Sequence, residues 1–147
     1  MAIAPIEKTV RVRLEPEDAF DLFTRQLTRW WPLAKYSCGG ADAVDVHFEE
    51  RVGGVVVERT RTGERHVWGT VTLWEPPHRF AMTWHPAVAV EQATQVTVEF
   101  AATNDGGTEV RLRHDGWEVR DQKSRDSYDG GWQGVLALFV AMAEEGK

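Results

Sequence analysis

Along residues 6–14 apolar and polar side chains alternate. Ile6, Val10, Val12 and Leu14 share one parity and Glu7, Arg11 and Arg13 the other, the pattern of a half-buried strand. Lys8 breaks it. The period changes at Pro16, a residue suited to a first helical position. Glu17 and Asp18 follow where negative charge favours the helix dipole, and Ala19, Phe20, Phe23, Leu27 and Trp30 continue at helical spacing until Trp31-Pro32. Residues 33–43, with Ser37, Gly39, Gly40 and Asp42, read as a loop. Six strands are predicted next, at Val44–Glu50, Val55–Thr60, His66–Trp74, Arg79–His85, Gln95–Ala102 and Thr108–His114. Turn signals separate them: Gly53-Gly54, Thr62-Gly63, Pro76-Pro77 and the run Asn104-Asp105-Gly106-Gly107. Such short links predict an antiparallel meander, because parallel neighbours need crossovers of about a dozen residues or more. The last 28 residues predict one long helix, with Tyr128, Trp132, Val135, Leu136, Phe139, Met142 and Ala143 on a single stripe.

Parity also predicts what faces that helix. Val44, Val46 and Phe48 oppose Asp45, His47 and Glu49, while Phe80, Met82 and Trp84, then Val96, Val98 and Phe100, then Val110, Leu112 and His114 form further inward sets. Three places leave alternatives. In the third of the six strands Trp68 and Trp74 fall on the mostly polar side, either as an exposed aromatic patch or because a β-bulge shifts the parity. Glu58 points inward with Val56, or outward if Val55 and Val57 point in; an inward carboxylate must be paired or protonated. Gly130, Gly131 and Gly134 each give up about 1 kcal/mol of helix propensity. Either the helix begins after Gly131, or a close backbone, a kink or a pocket mouth offsets the loss.

The fold class is therefore α+β: a single domain over residues 1–147, an antiparallel meander that with the first strand counts seven strands, and a C-terminal helix whose apolar stripe has the sheet's concave face as its partner. A net charge of −6 without a basic stripe argues against nucleic acid. No apolar run approaches the ~18 residues of a membrane span, and with a single cysteine and no leader-like start a reducing cytoplasm is the expected compartment. The five histidines show no ligand spacing, so neither a metal nor another cofactor is expected. Seven tryptophans are an excess for this length, and they are candidates for core or cavity walls.

Several segments carry a resemblance. Trp30-Trp31-Pro32, Glu50-Arg51-Val52-Gly53-Gly54 followed by Glu58, Trp68-Gly69, Glu75-Pro76-Pro77, Thr83-Trp84, His114-Asp115-Gly116-Trp117 and Tyr128-Asp129-Gly130-Gly131-Trp132 run in order. Together they resemble the heat-shock-protein-90 ATPase activator homologue family of the START-like, helix-grip (SRPBCC) superfamily, over about residues 8–143. The resemblance implies a helix-grip fold, a curved antiparallel sheet of six or seven strands around the long C-terminal helix, with two short helices after the first strand and an internal cavity. Members of that superfamily include lipid carriers, cyclases, hydrolases and co-chaperones, so the fold alone assigns no activity.

The expectation drawn from the residue pattern and the resemblance together is binding of a small hydrophobic or aromatic molecule between sheet and helix. Phe48, Trp84, Trp132, Leu136 and Phe139 are the expected walls, Glu58, His114 and Tyr128 the polar anchors, and Trp30 and Trp31 the entrance. One alternative is a protein-interaction module using a Trp68/Trp74 face, with a chaperone as partner; a homodimer also stays open. Another is a cyclase- or hydrolase-type enzyme drawing on His85, His114, Glu58, Asp115 and Tyr128, although no motif couples a base to a nucleophile. Cys38, beside two glycines, has no neighbouring cation in sequence to activate it.

Overall fold

The computed structural model describes residues 3–145. Strand β1 (Ile6–Val12) is followed by α1 (Pro16–Phe23) and α2 (Leu27–Trp30). Strands β2 (Ala43–Phe48), β3 (Val55–Thr60), β4 (Arg65–Glu75), β5 (Arg79–Trp84), β6 (Thr94–Ala102) and β7 (Thr108–Asp115) then lead to α3 (Gln122–Glu145). The first helical run is thus two short helices, broken after Phe23, and the last two positions of the terminal run lie outside the described residues. All neighbouring strands pair antiparallel in the order β1-β7-β6-β5-β4-β3-β2, a curled sheet that packs against α3. Strands β1 and β2 are consecutive in the chain yet occupy opposite edges, and α1 and α2 cross between them.

Three register shifts explain where strand parity misleads. Between Ala43↔Thr60 and Asp45↔Arg59, Val44 is the extra residue of a bulge; it is 44% exposed rather than facing inward with Val46 and Phe48. Between Val56↔Gly69 and Val57↔Val67 the extra residue is Trp68, and between Val71↔Met82 and Leu73↔Ala81 it is Thr72. Each bulge inverts the facing of the residues beyond it, so Trp68, Val71 and Trp74 all reach the interior despite their mixed parity. There is accordingly no exposed Trp68/Trp74 patch: Trp68 is buried and Trp74 packs on Phe20, Phe48 and Phe80. Gly69 is required beside the first of the β4 bulges, because a Cβ there would lie 1.7 Å from the Thr83 carbonyl oxygen.

Helix α3 begins where Asp121 accepts the Ser124 backbone N–H at 2.8 Å, an N-cap that also holds the Asp121 carboxyl below its ordinary range. It runs unbroken through Gly130, Gly131 and Gly134, so the late-start alternative does not apply. No backbone approaches these glycines; Gly130 and Gly134 have no heavy atom within 4 Å of an added Cβ, and Gly131 has only the Tyr36 hydroxyl at 4.0 Å. Lys8, the break in the first strand, turns toward α3 and pairs with Asp129 at 3.1 Å.

All six phenylalanines join the core. Phe20, Phe23, Phe48, Phe80, Phe100 and Phe139 form one linked set of edge-to-face and tilted contacts at centroid separations of 5.1–6.4 Å, closed further by Trp30 and Trp74.

Candidate functional site

At the other end of the sheet–helix interface the interior is built from indoles. Trp31 follows α2, Trp68 is the bulge residue of β4, Trp84 ends β5 and Trp132 lies on the buried stripe of α3. Their ring centroids stand 5.2–6.0 Å apart in a contiguous set. They bound a cavity of about 290 Å³, completed by residues 35–37, Pro86 and Ala87 on loops and by Ser127, Tyr128, Gly131 and Val135 on α3. That volume is at the lower end of small-molecule pockets, which begin at about 300 Å³. Gly131 belongs to the wall, so the missing side chain leaves room in the cavity.

Each of the four indole N–H groups already has a protein acceptor. Trp31 Nε1 donates to the Tyr36 carbonyl at 2.7 Å, Trp68 Nε1 to Glu58 Oε1 at 2.8 Å, Trp84 Nε1 to the Tyr128 hydroxyl at 3.2 Å and Trp132 Nε1 to His114 Nδ1 at 2.9 Å. The rings are therefore held in orientation, and they offer the cavity π faces and carbon edges instead of donors.

Three of those acceptors, Glu58, His114 and the Tyr128 hydroxyl, are sequence-selected polar residues. Glu58 points inward with Val56 and is fully buried; besides Trp68 it accepts the backbone N–H groups of Cys38 at 2.8 Å and Gly39 at 2.7 Å. One carboxylate thereby fastens the 33–42 loop to β3 and fixes an indole. His114 is fully buried as well. Because Trp132 donates into Nδ1, the imidazole carries its proton on Nε2, which lies 2.6 Å from Thr94 Oγ1; that hydroxyl donates in turn to the Trp84 carbonyl at 3.2 Å. Burial, with a smaller contribution from the Arg120 guanidinium, pushes the His114 pKa down to about 3. With both ring nitrogens bonded and the group neutral, His114 orients Trp132 and does not reach the cavity.

The remaining predicted positions divide cleanly. Trp31, Trp84, Tyr128 and Trp132 line the cavity. Phe48, Leu136 and Phe139 do not: they lie in the filled, phenylalanine-rich end, with Phe139 at 5.1 Å from both Phe23 and Trp30. Trp30 is likewise not an entrance residue, since it is buried there and donates to the Leu22 carbonyl at 2.8 Å. Of the five acid–base candidates, His114 and Tyr128 lie side by side with ring centroids 5.3 Å apart, whereas Asp115 pairs with Arg113 at 3.0 Å and Glu58 is committed to its three N–H donors. Burial, reinforced by the Glu58 carboxylate, raises the Cys38 thiol above its ordinary pKa. Among the described residues no group of three or more His, Cys, Asp or Glu is placed to hold a metal ion, and no helix is long and apolar enough to cross a membrane.

Comparison with known proteins adds family context. No curated protein sequence matches the chain. A solved structure described as an anthrahydroquino-gamma-pyrone synthase, Txn09, is 31% identical, with 95% of this chain and 97% of that one covered at a TM-score of 0.66. An Aha1 dimer from Colwellia psychrerythraea is 17% identical, covered over 99% of both chains at a TM-score of 0.72. A protein from Mesorhizobium loti, also 17% identical, is covered over 98% and 99% at 0.74. These last two share the fold. The profile of the family described as activator of Hsp90 ATPase homolog 1-like protein matches residues 13–144, and the chain belongs to that family.

Proposed function

We propose that the chain binds a planar aromatic small molecule in the four-tryptophan cavity. The observation that carries this reading is the hydrogen-bonding of the indoles, because a ring fixed through its N–H cannot swing in to fill the adjacent space. A flat ligand would recover the ring contacts that the cavity leaves open, and such aromatic pairs contribute about 0.5–1.5 kcal/mol each beyond area burial. Trp31, Trp68, Trp84 and Trp132 are the walls in this reading, Tyr128 a polar contact, and Glu58 and His114 the residues that hold the walls. The lone, unbridged Cys38 suits a reducing cytoplasm. Titration of tryptophan fluorescence with fused-ring aromatics, a fatty acid and a sterol tests it. Saturable quenching by the fused-ring compounds supports the reading; no saturable response to any of them overturns it.

A second reading, a cyclase-type enzyme, is favoured by the 31% identity to a synthase whose product name contains a fused aromatic ring system. In that reading the Tyr128 hydroxyl, which accepts from Trp84 and keeps its own proton, is the acid at the cavity wall. A Tyr128→Phe variant that binds an aromatic precursor normally but no longer converts it supports this second reading. Absence of turnover by the unaltered chain counts against it.

A further inference from the structure

Apart from its aromatic walls, the cavity has an uneven polar rim. Lys35 is the only charged residue that lines it among the described residues. Within that same range Lys35 forms no ion pair; its ammonium lies 5.2 Å from the centroid of the Tyr36 ring. Lys8 and most arginines, by contrast, are engaged with carboxylates in this chain of net charge −6. Outside the lining, the Arg120 guanidinium stands 5.8 Å from the Tyr128 ring, also without a carboxylate partner among the described residues. Glu58, which holds the Trp68 indole, is fully buried and committed to three N–H donors. The hydroxyl groups of Tyr36, Ser37, Ser127 and Tyr128 complete the side-chain polar set; Ser37 donates to the Leu33 carbonyl, and Tyr128 has its proton free to donate. The rim thus presents one cation, Lys35, with hydroxyl groups and no anion.

The loop that carries Lys35 is fixed. The Lys35 N–H donates to the Pro32 carbonyl at 3.0 Å, the Tyr36 carbonyl accepts from Trp31, and Glu58 holds the N–H groups of Cys38 and Gly39. The stem of the lysine is therefore anchored at the mouth while its charge stays in solvent, where an incoming anion meets it with little desolvation penalty.

We infer that the ligand is an anion: a planar aromatic molecule bearing a carboxylate or phenolate, seated with its rings among the indoles and its charge at the mouth beside Lys35. This inference rests on the aromatic-pocket reading above and narrows it to a substrate class. It assigns Lys35 a specificity role, and a cationic analogue of equal shape should be disfavoured.

The test is isothermal titration calorimetry with three probes of nearly the same shape: anthraquinone-2-carboxylate, neutral 2-(hydroxymethyl)anthraquinone and cationic 2-(aminomethyl)anthraquinone. The expected order is carboxylate, neutral, cation, with the carboxylate roughly five-fold tighter than the neutral compound, as for one partly exposed charge pair. Raising NaCl from about 20 to about 300 mM should shrink that preference. Lys35→Ala should abolish it, Lys35→Arg should retain it, and Lys35→Glu should reverse it. Equal affinity for the three probes, or a carboxylate preference that survives in Lys35→Ala, overturns the inference and leaves the aromatic pocket standing. Failure of all three probes to bind removes the pocket reading as well.

Discussion

The two ends of the sheet–helix interior are both aromatic, yet one is filled and the other is hollow. At the closed end the rings are phenylalanines, which have no polar atom to satisfy and settle against one another and Trp30 at 5.1 Å contacts. At the open end they are tryptophans, each tied by its N–H to an acceptor: a loop carbonyl, a buried carboxylate, a tyrosine hydroxyl and a buried imidazole. Rings without polar atoms can collapse onto one another, whereas rings on hydrogen-bonded tethers keep a shape that contacts alone would not hold. Trp30, tied to the Leu22 carbonyl, packs among the phenylalanines all the same, so a tether keeps a ring in place and its neighbours decide whether the space beside it is filled.

Breaking the closed end should have the largest effect. Phe139→Ala is expected to lower unfolding free energy by about 3–5 kcal/mol, read by urea denaturation, with affinity for an aromatic ligand nearly unchanged under folding conditions. At the open end, Glu58→Ala orphans three N–H donors and should lose about 2–4 kcal/mol. Faster amide exchange confined first to Cys38 and Gly39 would show that the carboxylate fastens the loop, and uniform exchange across the sheet would show that it does not.

Acid should also distinguish the ends. Taking His114 at about 3 in the folded chain against its ordinary 6.5, the unfolded chain binds the extra proton between those values. Its contribution is complete above pH 6.5 and is lost as pH falls toward 3, at up to about 1.4 kcal/mol per pH unit, or about 2 kcal/mol by pH 5. Comparing urea midpoints at about pH 7 and pH 5 for the unaltered chain and His114→Gln checks this; the variant should show the shallower loss. The smallest effect belongs to the helix face away from the cavity: Gly130→Ala and Gly134→Ala should each raise stability by about 1 kcal/mol with ligand affinity unchanged, by thermal melts and titration.

Much of this contrast is legible in the sequence, and the exceptions have physical causes. The element order follows from clean periods bounded by turn residues, and the inward sets of β5, β6 and β7 follow from alternation. Strand β4 does not, because two bulges invert its parity and a bulge has little signature beyond a glycine such as Gly69. Trp31 and Trp84 can be selected as aromatic residues at a helix end and a strand end, and Tyr128 and Trp132 as members of the apolar stripe of α3. Trp68 is hidden by its bulge. Lys35, Tyr36, Pro86 and Ala87 lie on loops, where periodicity carries no facing information. The role of Glu58 turns on backbone N–H donors from residues 38 and 39, which every sequence has and no pattern marks. Phe48, Leu136 and Phe139 are interior, as their spacing predicts, but at the filled end, a distinction that depends on how side chains pack along the helix.

The difference between a filled and a hollow end is tested most directly at Gly131, whose added Cβ meets nothing nearer than the Tyr36 hydroxyl at 4.0 Å. Gly131→Leu should fold with equal or higher melting temperature, since it removes a helical glycine, while binding of a fused-ring aromatic falls by at least about ten-fold because the side chain occupies the cavity. Unchanged affinity in a well-folded Gly131→Leu chain would contradict the hollow-end reading, because the ligand would then be bound elsewhere.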